Sequence, residues 1–158
     1  MINKVYFKKY ILKIRKALFM KSTDELLKIL KNYNNIEEFI EDNTEDIKNT
    51  TFVQYITECL NNCNLTKAQV IEKSNIQKNY AYQIFSGSKK PSRNKVLALS
   101  ISMGLDTDAT NRLLKLSDHS ILYPRIKRDS IIHFSLEQHY NLIDTNILLH
   151  DMEEKIIE

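Results

Sequence analysis

The sequence predicts an all-α fold, and three observations carry that prediction. Glycine and proline occur only twice each in 158 residues, too sparse a punctuation for the turns of a hairpin-rich fold. No long run alternates β-branched with polar residues, whereas apolar side chains recur at helical spacing along the chain. Ser, Thr, Asn or Asp precedes these stretches, often with Glu or Gln three residues later, the mark of a capped helix start. With 42% of its residues apolar, the chain can bury a real core.

The first stretch, VYFKKYILKIRKALF, places Phe7, Tyr10, Ile11, Ile14, Ala17 and Leu18 at helical spacing with lysines between them. STDELLKILKNY follows, with Ser22 or Thr23 as cap and Glu25 completing a capping box with Ser22. A short helix, IEEFIED, is expected after Asn35, with Glu38 at the box position. Residues 42–50 are polar and acidic and read as a linker. Thr51, with Gln54 at the box position, then opens FVQYITECLNN. Cys59 and Cys63 fall one turn apart there, beside Ile56 and Leu60. Half a metal site would need a second pair of ligands, and a disulfide between residues four apart on a helix is geometrically poor. Buried, reduced core cysteines are therefore expected.

Thr66 and Gln69 form the next capping box, so a short helix, KAQVIEKS, should start there. Asn75 interrupts it, and Asn tolerates the left-handed conformation that a tight turn needs. Ile76 then turns inward, and a second short helix, QKNYAYQIFS, runs to a stop at Gly87. Pro91 and Ser92 launch SRNKVLALSISMG, and Asp106 caps TDATNRLLKLS. Two short helices joined by a tight turn are the helix-turn-helix arrangement, with the second helix as candidate reader of a DNA groove.

The segment LTKAQVIEKSNIQKNYAYQIFSGSKKPS resembles the lambda-repressor/Cro-like family, also called XRE. Its marks are Leu65-Thr66 before the first helix, Val70 within it, Ile76 after the turn, Ile84-Phe85-Ser86-Gly87, and Pro91-Ser92. With KNYAYQIFSGSKKPSR followed by LYPRIKRD, the whole chain looks like a low-GC Gram-positive branch of that family. The resemblance implies a five-helix helix-turn-helix domain over 51–117 and a bacterial transcriptional regulator binding specific double-stranded DNA. Residues 1–49 would be an N-terminal helical extension and 118–158 a C-terminal helical hairpin packed on the domain. The chain departs from the family pattern at Lys67, where Gln is usual, and at Asn75, where Gly is usual. Ile71 stands where a small residue is usual and Ala81 where Ile or Val is usual. If Ile71 and Ala81 face each other, the large–small pair is inverted with its volume kept, a swap that cores tolerate.

Charge falls in blocks. Residues 1–21 carry seven Lys or Arg and no acid, and residues 59–104 carry seven with one acid; the stretches 22–58 and 105–158 are net acidic. The basic blocks are candidate phosphate-binding surfaces, unless the alternating blocks pair with one another in the fold. On the reader helix, Gln77, Lys78, Asn79, Tyr82 and Gln83 should face outward toward base edges, while Ala81, Ile84 and Phe85 face the core. Gln and Asn can bond bidentately to adenine and Lys can donate to guanine. For Tyr82, packing between helices is the competing reading. Thr66, Lys67, Ser88, Lys89, Lys90, Arg93, Asn94 and Lys95 are the candidate phosphate contacts, being cations and polar groups near helix starts.

A repeat follows. Sliding the chain by 35 residues aligns RNKVLALSISMGLDTDATNRLL (93–114) with RDSIIHFSLEQHYNLIDTNILL (128–149), with identities including Arg93/Arg128, Ser100/Ser135, Thr110/Thr145 and Asn111/Asn146. The closing hairpin is thus echoed once, either to pack on the first copy or to offer a dimer or partner surface.

Other classes find little in the sequence. His119, His133, His139 and His150 lack metal-ligand spacing, and with two glycines there is no phosphate-cradling loop and no nucleophile elbow. No catalytic residue, metal or cofactor is expected. No apolar run approaches about 20 residues and the start lacks a signal-peptide apolar region, so no membrane partner and a cytoplasmic location are expected. The alternative function is a helical scaffold or adaptor that keeps this fold without reading DNA. Its N-terminal helices or C-terminal hairpin would then hold a second copy or a protein partner.

Overall fold

The computed structural model describes residue 21 and residues 23–47 and 50–158. The first basic amphipathic stretch and the Ser22 cap lie outside the described residues. Among those described, all regular structure is helical: α1 (Thr23–Leu30), α2 (Ile36–Asp42), α3 (Phe52–Asn62), α4 (Lys67–Ser74), α5 (Lys78–Ser86), α6 (Arg93–Ser102), α7 (Thr107–Leu116), α8 (Lys127–Glu137) and α9 (Leu142–Asp151). No described helix is long and apolar enough to cross a membrane. The chain divides into two compact units between residues 49 and 50.

In the first unit, the Asn35 side chain caps α2 by accepting from the Glu37 amide. Tyr33 packs edge-on against Phe39, ring centroids 5.3 Å apart, and its hydroxyl donates to Asp42. The acidic stretch expected to be a linker is partly structural. Asn43 is buried, donating to the Phe39 carbonyl at 2.8 Å and accepting from Lys21 Nζ, which also pairs with Asp46 at 3.3 Å. Lys21 thus pairs with one of the three carboxylates of this stretch, Asp46.

The second unit starts on the Thr51–Gln54 box, where the Thr51 side chain accepts from the Gln54 amide and Gln54 Oε1 accepts from the Thr51 amide. The Thr66–Gln69 box opens α4 in the same way. Such a cap is worth about 1 kcal/mol to a helix as short as α4. Asn75 ends α4 at φ 52°, and Gly87 ends α5 at φ 80°. A Cβ at Gly87 would lie 2.9 Å from Val53 Cγ2, so position 87 excludes side chains by space as well as by backbone conformation. The core gathers Ile56, Val70, Ile84, Phe85 and every residue of α6 from Val96 to Ser102. A helix buried on all sides needs neighbours all round, and α6 has α4, α7 and α9 against it. Cys59 is buried as expected, but Cys63 caps the end of α3 and is only half-buried.

The 35-residue echo is a structural duplication. The helices α6 and α8 align, as do α7 and α9, each of the latter capped by the side chain of the residue before it, Asp106 and Asn141. Each hairpin is closed by one polar pin: Asn111 accepts from the Leu122 amide and Asn146 from the Ile157 amide. Arg93 donates to the Ser120 and Ile121 carbonyls, and Arg128 to those of Lys155 and Ile156. Between copies the contacts are reciprocal. Arg93 reaches Asp129 at 2.9 Å while Arg128 reaches Asn94 at 3.0 Å, and α6 packs on α9 as α7 packs on α8. Reciprocity of this kind defines a two-fold relation rather than a stack by translation.

Candidate nucleic-acid interface

The turn between α4 and α5 fixes the candidate reader. Asn75 reverses the chain in the left-handed conformation, Ile76 anchors it in the core, and the Gln77 side chain caps α5 by accepting from the Tyr80 amide at 3.0 Å. The helix proper therefore starts at Lys78, one residue later than the sequence suggested. Its inner face, Ala81, Ile84 and Phe85, is buried against α3 and α4. Gln77, Lys78, Asn79, Tyr82 and Gln83 are all exposed on the opposite side. Burial of Ile84 and Phe85 contributes about 1.5–3 kcal/mol each, which holds that outer face in one orientation. Tyr82 borders an open groove of about 600 Å³ between α4 and α5, with Ala68, Glu72 and Lys78 along it.

The side chains differ in what they can still bond. Asn79 carries no intramolecular bond that would have to be broken, and the Gln83 carboxamide is likewise outward, although its backbone carbonyl accepts from the Ser86 and Ser88 hydroxyls. Gln77 Oε1 is committed to the helix cap, so bidentate contact with a base would release the Tyr80 amide.

The cations also divide. Lys67 is exposed, its ammonium 5.7 Å from the centre of the Phe85 ring, which sets the start of α4 beside α5. Lys78 and Lys89 are exposed, and Lys73, exposed in the last turn of α4, joins them although no motif pointed to it. The Tyr80 hydroxyl donates to the Lys90 carbonyl and ties the α5–α6 loop to α5. Lys90 Nζ pairs with Asp118 at 2.5 Å, and that hydrogen bond holds the Asp118 carboxyl below the usual carboxylate range. Both partners are exposed, so a phosphate can displace the carboxylate at little cost. Lys95 is half-buried in the first turn of α6.

Arg93 is differently placed. Its guanidinium is engaged by two carbonyls and by Asp129, whose side chain is 4% exposed. Asn94 accepts from Arg128, whose pKa is pushed down by burial and then by the like charge of Arg93. The sequence grouped Arg93 and Asn94 with the phosphate contacts; the fold spends both at the junction of the two hairpins. Thr66 and Ser88 are exposed, but their hydroxyls serve the caps of α4 and α5. Compared with models of known protein families, with curated proteins and with solved structures, the chain matches none.

Proposed function

We propose that residues 51–117 form a lambda-repressor-like helix-turn-helix domain that binds specific double-stranded DNA, with α5 in the major groove, in a bacterial transcriptional regulator. One observation carries the reading: α5 buries Ala81, Ile84 and Phe85 and leaves Lys78, Asn79, Tyr82 and Gln83 exposed in a block, 59–104, whose only acid is Glu72. A major groove about 12 Å wide admits one helix, and carboxamides and an ammonium at its start match the donors and acceptors of base edges. Lys67, Lys73, Lys89 and Lys90 supply phosphate contacts on either side. Arg93 and Asn94 are left out of that set.

Asn79 and Gln83 stand four residues apart on one helix face and are the expected discriminating pair. Selection from a random duplex pool tests the reading: the full chain should enrich one consensus. Asn79→Ala should then lose about 1–3 kcal/mol on that consensus and far less on random duplex. A pool that stays unenriched, or equal losses on both duplexes, contradicts it. The scaffold alternative draws on a different surface, the second hairpin.

A further inference from the structure

The two-fold relation between the hairpins predicts what should cover each of them. On the first, α4 lies against α6 and α3 against α7, where the Arg112 guanidinium stacks 4.5 Å over the Tyr55 ring. The counterparts of α6 and α7 are α8 and α9, and within the second unit no described helix packs on either in the corresponding place. The consequence is visible residue by residue. Leu99 is fully buried, and its counterpart Phe134 is 49% exposed. Leu105 is buried, and its counterpart Tyr140 is exposed. Ile147 replaces Arg112 and is exposed, and Ile143, one turn before it, is 71% exposed. Phe134 and Tyr140 pack edge-on at 6.0 Å, and Ile143 and Ile147 stand one turn apart on α9, so the exposed apolar side chains of this hairpin recur in pairs rather than singly.

The charge around the patch selects its occupant. From residue 134 to residue 158 the chain carries six carboxylates and one lysine. Asp144 and Asp151 lie along one edge of the Ile143–Ile147 stripe at helical spacing, and Glu137 lies one turn from Phe134. Two copies of the patch brought face to face would set carboxylates against carboxylates, which disfavours self-association. We propose that this face of α8 and α9 is a docking site for a basic amphipathic helix of a partner protein. The helix would sit where α3 and α4 sit on the first hairpin, its apolar side on Phe134, Tyr140, Ile143 and Ile147, its lysines or arginines against Asp144 and Asp151. The site is separate from α5 and stands whether or not α5 reads DNA.

The chain has no tryptophan, so a tryptophan-bearing probe reports binding without a label. The full chain is titrated into the basic amphipathic peptide LKKLLKLWKKLLKL and, separately, into its acidic counterpart LEELLELWEELLEL. A saturable blue shift is expected with the basic peptide, and at least tenfold weaker binding with the acidic one. Phe134→Glu with Ile147→Glu should weaken the basic peptide at least tenfold, and Ile143→Glu alone should fall between. These positions are exposed, and an unchanged urea midpoint verifies the fold. Asp144→Lys with Asp151→Lys keeps the apolar patch and should also weaken the basic peptide at least tenfold. Absent binding, or binding equal in all variants, overturns the site. Equal binding of the two peptides, or binding untouched by the charge reversal, overturns the basic occupant. Sedimentation showing a dimer of the free chain that Ile147→Glu dissociates assigns the face to a second copy and also overturns the proposal.

Discussion

Arg93 and Arg128 occupy one position in two copies of a single hairpin, and each crosses to the other copy, Arg93 to Asp129 and Arg128 to Asn94. The first of these crossings is an ion pair with one partner almost wholly buried. Removing Arg93 leaves that carboxylate buried without its cation, which costs about 3–5 kcal/mol in buried pairs. Arg93→Ala should therefore lower unfolding stability by about 3 kcal/mol in urea. Under conditions where it remains folded, Arg93→Ala should leave the salt dependence of duplex binding unchanged. A stable variant with a shallower salt slope would return Arg93 to the phosphate contacts.

The second prediction concerns the packing of α4 on α5, the proposed reader. Ile71 and Ala81 are both buried, on α4 and α5, which pack together. Ala81→Ile should overpack the contact, costing about 1–3 kcal/mol. Ile71→Ala should leave a cavity, costing about 2–5 kcal/mol. If the two side chains share one space, the double variant should lose less than the sum by about 0.5–3 kcal/mol. Urea unfolding of the four proteins measures this directly. Additive losses would mean that each fills a separate part of the core.

Much of the second unit was legible because its signals are local. The boxes Thr51–Gln54 and Thr66–Gln69, the left-handed Asn75 and the stop at Gly87 each act within a few residues, and the helices begin and end on them. The role of Arg93 was not legible. Its partner lies 36 residues away and meets it only because two hairpins pack two-fold. From composition, Arg93 was one more cation in a basic block. The buried Asn43 was hidden for the same reason, since its bond to Lys21 spans 22 residues. Duplication was visible in the identities at 35-residue spacing, but the two-fold sense came only from which residues cross between copies.

Alkaline pH supplies a third prediction. Burial pushes the Cys59 thiol up to about 11, with the neighbouring Cys63 thiol adding to the shift. Burial likewise pushes the Tyr55 phenol up to about 12, with Cys59 adding to it. Each group holds its proton more tightly folded than unfolded. Its contribution is therefore complete below its ordinary pKa and lost as pH rises through the folded one. Stability should be flat toward neutral pH with respect to these groups and decline from about 9 to about 12. Cys59→Ala should flatten the lower part of that decline. A thiol reagent at pH 8 should modify Cys63 well before Cys59, since thiolate fraction and access both favour the half-buried residue. Equal rates at the two cysteines would contradict the packing of α3.

The most direct measurement is the affinity of the full chain for random double-stranded DNA across a series of salt concentrations. If Lys67, Lys73, Lys89 and Lys90 meet phosphates beside a reader helix in the groove, log affinity should fall linearly with log salt. Each phosphate contact adds about 0.9 to the slope. Replacing Lys89 and Lys90 together by Ala should reduce the slope by about 1.8 and weaken all sequences alike. A chain that fails to bind duplex at low salt, or binds it with an affinity indifferent to salt, would contradict the DNA reading of α5.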